Sequence, residues 1–121
     1  MITKFEKYNE SIKSLLVGPT KEEVLDNLGI TIPDTPQEYI IDLIDKSRKE
    51  TINHNTYWYI NNIKVFHFNT SGRILFCSRI IVWTILSDVF GLSYNEITSV
   101  IKEIIEEKYN LGIESITKSV S

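Results

Sequence analysis

An α+β fold follows from one property of the sequence, a hydrophobic period that changes twice. Apolar residues recur at helical spacing as far as Ser47, give way to β-branched and aromatic runs between Thr56 and Cys77, and return to helical spacing from Arg79 to Tyr109. At 121 residues with 42% hydrophobic content, the chain suits a single domain, 1–121, with one buried core. No Gly/Ser-rich linker and no internal repeat divides it.

The elements follow in order. Phe5, Tyr8, Ile12, Leu15 and Leu16 share a helical face, so a helix is expected over about 3–16, stopped by Gly18-Pro19. Thr20 and Glu23 form a capping box, in which each side chain satisfies a free N–H at a helix start. Val24, Leu25 and Leu28 make a short apolar face that Gly29 ends. A second box at Thr35 and Glu38, with Pro36 at the first helical position, opens a helix whose inner stripe is Tyr39, Ile40, Leu43, Ile44 and Ser47.

Thr56–Ile60, Ile63–Asn69 and Arg73–Cys77 then read as a three-stranded antiparallel meander, turning at Asn61-Asn62 and Thr70-Ser71-Gly72. Two-residue turns would set Trp58 against Val65, His67 against Ile74 and Val65 against Phe76. Alternation then sorts the side chains. One face would hold Trp58, Ile60, Ile63, Val65, His67, Ile74 and Phe76 and pack on helices. The other would hold Tyr57, Tyr59, Lys64, Phe66, Phe68, Arg73, Leu75 and Cys77.

Ser78 can cap a helix carrying Ile81, Val82, Ile85, Leu86, Val89 and Phe90, closed by Gly91. Ser93 and Glu96 form a third box before Ile97, Val100, Ile101, Ile104 and Ile105, a helix packed against its predecessor. The stretch 113–121 reads as an edge strand or a frayed tail.

The net charge of −3 lacks the excess of Lys and Arg that marks most nucleic-acid-binding domains. A single cysteine leaves no internal disulfide and no multi-cysteine zinc site. No apolar run approaches the length of a membrane span, and Lys4, Glu6 and Lys7 stand where a secretory signal would be apolar. A cytoplasmic protein is expected.

Little in the chain points to catalysis. Cys77 and His67 are the one candidate nucleophile pair, and the register above puts them on opposite faces of the sheet. Asp42 and Asp45, three apart on a helix, read as a solvated face, as do Glu103, Glu106 and Glu107. No metal-ligand spacing and no phosphate-cradling glycine run occurs, so no metal, cofactor or small-molecule ligand is expected.

Two binding readings remain. In the first, a protein partner or a second copy docks on Tyr57, Tyr59, Phe66 and Phe68, with Lys64 and Arg73 at the rim, because aromatics and arginine concentrate at interfaces. In the second, nucleic acid uses the same face, with Lys46, Arg48 and Lys49 as phosphate contacts. Those three cations also suit a helix C-terminus, where they offset the dipole. The last two helices have the outline of a helix-turn-helix, but the second exposes Glu96, Glu103, Glu106 and Glu107, which phosphates repel.

Two stretches carry a resemblance. Lys4-Phe5-Glu6-Lys7-Tyr8-Asn9-Glu10-Ser11-Ile12, running into Gly18-Pro19-Thr20-Lys21-Glu22-Glu23-Val24, resembles the start of small uncharacterised proteins of large tailed bacteriophages and environmental viral sequences. Trp83–Tyr109, centred on Phe90-Gly91-Leu92-Ser93-Tyr94-Asn95-Glu96-Ile97, is similar to them too. The resemblance implies a viral origin and carries no activity or site.

Overall fold

A computed structural model describes residues 25–26 and 28–119. The chain divides into two compact units, 1–31 and 32–121. In the first, residues 25, 26 and 28 are helical and Gly29, at φ +69°, ends the turn. The expected helix over 3–16, its Gly18-Pro19 stop and the Thr20/Glu23 box lie outside the described residues.

The second unit is mixed α and β. Its first helix, α1 (Pro36–Lys46), starts where the capping box puts it, with Thr35 Oγ1 accepting the Glu38 N–H at 3.2 Å. Tyr39, Ile40, Leu43 and Ile44 are buried along one side. Strands β1 (Arg48–Ile52), β2 (Asn55–Ile60), β3 (Ile63–Asn69) and β4 (Ile74–Cys77) form an antiparallel meander. A fifth strand, β5 (Ser115–Lys118), lies parallel to β4, so the sheet order is β1-β2-β3-β4-β5. The meander is one strand longer than expected: Arg48 and Lys49 open a strand instead of trailing a helix. The stretch expected as an edge strand or tail supplies the fifth.

Helices α2 (Arg79–Val89) and α3 (Tyr94–Tyr109) follow β4. Ser93 and Glu96 make the full capping box, and Asn110 ends α3 in the left-handed region at φ 54°. Ile97, Val100, Ile101 and Ile105 are buried. Tyr39 links the helices by donating its hydroxyl to the Ile81 carbonyl at 2.6 Å. Tyr109 packs its ring on Trp58, which places the helical layer on the Trp58 side of the sheet.

Helix α2 departs from α winding. Its N–H groups reach five residues back, as Trp83 to Ser78 at 3.1 Å and Phe90 to Ile85 at 3.3 Å, over the 11 residues of a π-helix. The wider turn corrects one expectation. Val89, placed in the apolar stripe by a 3.6-residue period, rotates outward and is 44% exposed.

The larger correction concerns the faces of the sheet. Ile60 pairs with Ile63 and Tyr59 with Lys64, but Trp58 pairs with Phe66, so Val65 is an extra residue in β3. Beyond this bulge the alternation is inverted relative to an unbroken ladder. In the second hairpin Asn69 pairs with Ile74 and His67 with Phe76, two residues away from the expected register, which leaves the face sets of β3 and β4 intact. The buried face therefore carries Trp58, Ile60, Val65, Phe66, Phe68, Leu75 and Cys77. The opposite face carries Tyr57, Tyr59, Lys64, His67 and Phe76.

This assignment predicts unequal costs for the same truncation. Phe66→Ala or Phe68→Ala should destabilise the chain by about 3–5 kcal/mol, the usual cost of emptying a buried phenyl site. Phe76→Ala on the half-exposed face should cost clearly less. Urea unfolding of the three variants, followed by far-UV circular dichroism, tests the ranking.

Candidate binding face of the sheet

The face away from the helices is built by cross-strand neighbours. Tyr57 stands opposite His67, which stands opposite Phe76. Their rings stack in a row: Tyr57–His67 centroids are 4.4 Å apart at 20°, and His67–Phe76 5.2 Å at 22°. Tyr59, two residues along β2, extends the row at 6.0 Å from Tyr57. Two cations lie against it, Arg48 over Tyr59 at 5.0 Å and Lys64 near Tyr57 at 5.3 Å. Arg48 also pairs with Glu50 at 3.0 Å. All four ring residues are half-buried.

At one margin of the row, Asn55 Oδ1 accepts from His67 Nε2 at 2.8 Å and from Asn69 Nδ2 at 3.2 Å. The shared acceptor assigns the imidazole proton to Nε2. Partial burial, and then the charge of Lys64, lower the His67 pKa, so the ring is neutral at physiological pH.

The expected site residues divide between the two faces. Tyr57, Tyr59 and Lys64 come together on the open face. Phe66 and Phe68 do not: at 1% and 2% exposure they belong to the core, turned there by the Val65 bulge. Arg73 is no strand residue. It occupies the β3–β4 turn with φ 53° and lies 3.9 Å from Glu114. His67 and Phe76, expected on the packed face, complete the row instead. Phe76 was findable only by placing the bulge, and Arg48 only by recognising β1.

The Lys46, Arg48 and Lys49 cluster is also dispersed. Lys46 stays in the last turn of α1, while strand alternation sends Arg48 to the open face and Lys49 over the Tyr109 ring at 5.0 Å. Cys77 is fully buried opposite Phe66, and burial pushes its thiol pKa far up. It lies across the sheet from His67. Among the described residues, no group of three or more His, Cys, Asp or Glu side chains is arranged to hold a metal ion, and no helix is long and apolar enough to cross a membrane.

No protein-family profile, curated protein or solved structure matches the chain.

Two measurements probe this geometry. A His67 pKa below the unfolded value of about 6.5 means the unfolded chain binds the extra proton first. Its contribution is intact above pH 6.5 and is lost as pH falls from there through the folded-state pKa. The melting temperature of the native chain should therefore drop more between pH 7.5 and 5.5 than that of His67→Gln. Separately, Cys77 should ignore Ellman's reagent in the folded protein and react promptly in denaturant.

Proposed function

We propose that the chain is a non-catalytic protein-binding module whose open sheet face docks a partner presenting carboxylates to Arg48 and Lys64. The observation that carries this reading is the row Tyr59–Tyr57–His67–Phe76, half-exposed and flanked by two cations in a chain of net charge −3. Rigid aromatic side chains supply contact area at small entropic cost, and cations beside them select an acidic counterpart.

The same rings argue against a nucleobase platform. A base stacks on a free π-face, but Tyr57 is flanked by Tyr59 and His67, His67 by Tyr57 and Phe76, and Tyr59 by Arg48 and Tyr57. Among the described residues only Phe76, at the end of the row, has a ring face that no neighbouring ring or cation covers, so the row offers little stacking surface. A viral source and a cytoplasmic site of action belong to the same reading, on the resemblance carried by the residues quoted above.

Selection from a displayed random-peptide library on the native chain tests the proposal. Acidic, aromatic-containing peptides are expected, weakened about tenfold or more by Lys64→Glu or Tyr57→Ser. Peptides indifferent to both substitutions overturn it. Binding of oligothymidine that falls steeply with salt, and is lost in those variants, would replace it with the nucleic-acid reading. Concentration-dependent sedimentation abolished by the same substitutions would make the docked partner a second copy.

A further inference from the structure

A second site lies away from the aromatic row, where α2, the start of α3 and β5 enclose a groove of about 330 Å³. That volume is at the lower end of small-molecule sites, roughly 300–1,000 Å³. Arg79, Trp83, Ser87 and Asp88 of α2, Tyr94 of α3 and Lys118 of β5 supply its walls. The sequence gives no hint of it, because its residues come from three separated segments and match no ligand spacing.

Two features single the groove out. The first is its charge. Arg79 and Lys118 both line it although the chain is acidic overall, and among the described residues neither has a carboxylate within ion-pair distance. Like charges lining one groove repel, and an anion bound between them lowers that cost. Asp88, two turns further along α2, keeps negative charge at the other end.

The second feature is the aromatic wall. Trp83 is buried to 4% exposure, stacked on Tyr94 at 5.2 Å and 23°, with Lys118 Nζ 5.3 Å from its ring centroid. Its indole N–H, like that of Trp58 in the core, has no acceptor among the described residues. Tyr94 is 58% exposed, so much of its surface stays open to a ligand.

We propose that this groove binds a small aromatic phosphate ester, the phosphate between Arg79 and Lys118 and the ring against Tyr94. A dianion matches two cations better than a carboxylate does, and arginine recognises phosphate through its planar fork. Ser87 adds a hydroxyl on the same wall. The site is separate from the open sheet face and stands or falls independently of it.

Phenyl phosphate added to the ¹⁵N-labelled native chain tests the proposal, read at the two indole N–H signals of Trp58 and Trp83. The Trp83 signal should shift saturably while that of Trp58, buried against Phe66 and Tyr109, stays in place. Arg79→Gln and Lys118→Gln, both at exposed side chains, should each weaken binding about fivefold, whereas Lys102→Gln, exposed on α3 outside the groove, should leave it unchanged. Benzoate and inorganic phosphate should bind more weakly, since each lacks one half of the match. No Trp83 shift, a shift that sodium chloride of equal ionic strength reproduces, or binding indifferent to both groove substitutions overturns the proposal. Benzoate binding as tightly as phenyl phosphate overturns the assignment of a phosphate.

Discussion

A strand turns alternate side chains to opposite faces, so one inserted residue decides the fate of every residue beyond it. In this chain that residue is Val65. With it, Trp58 meets Phe66 edge to face at 6.4 Å and 89°, and both enter the core. Without it, the two large rings would lie on opposite sides and neither layer would be uniform. The bulge also sits beside the start of α2: the Val65 carbonyl accepts the Ser78 N–H at 2.8 Å, and Ser78 Oγ accepts the Ile81 N–H at 3.2 Å. The residue that sets the faces is thus tied by one hydrogen bond to the cap of the helix that covers one of them.

The two faces then acquire different physics. On the inner one, Trp58, Phe66, Phe68, Leu75 and Cys77 lose nearly all contact with water, and area burial supplies the stabilisation. On the outer one, the rings remain half wet and are held by one another and by neighbouring cations. The sheet edges are guarded in a familiar way. β1 carries Arg48, Lys49 and Glu50, and β5 is four residues long and ends on Lys118. Charge and brevity both oppose indiscriminate strand addition. Recognition through the face is therefore more compatible with this sheet than recognition through its edges.

Much of this was legible in the chain because it depended on local chemistry. The Thr35 and Ser93 caps, the buried stripes of α1 and α3, and the hairpin at Asn61-Asn62 each rest on residues within a few positions of one another. Asn61, for instance, takes φ 56°, a conformation asparagine tolerates better than most residues. What was illegible depended on pairing. A bulge leaves no mark in the alternation of Lys64-Val65-Phe66, since the same letters fit a straight strand. β1 was hidden because Arg48-Lys49-Glu50-Thr51-Ile52, an edge strand with an exposed surface, has no apolar period to detect. Tyr57, Tyr59 and Lys64 precede the bulge in the chain and stay on the expected face, whereas Phe66 and Phe68 follow it and turn into the core.

The winding of α2 is a second case in which packing overrode a local pattern. Ile81, Val82, Ile85 and Leu86 fit an α period and a π period equally well, so the inner stripe alone does not choose between them. The next turn does. At about 100° per residue Val89 falls at the centre of the stripe, whereas at about 82° it moves to the margin and Phe90 takes its place. The 44% exposure of Val89 and the 6.1 Å contact between Phe90 and Tyr39 follow the second pattern. The same change gathers Arg79, Trp83, Thr84, Ser87 and Asp88 from an arc of roughly 180° into one of roughly 115°. A helix wound in the ordinary way would scatter those side chains around its outer half. The looser winding collects a cation, an indole and three polar groups along one strip, the arrangement a narrow groove requires.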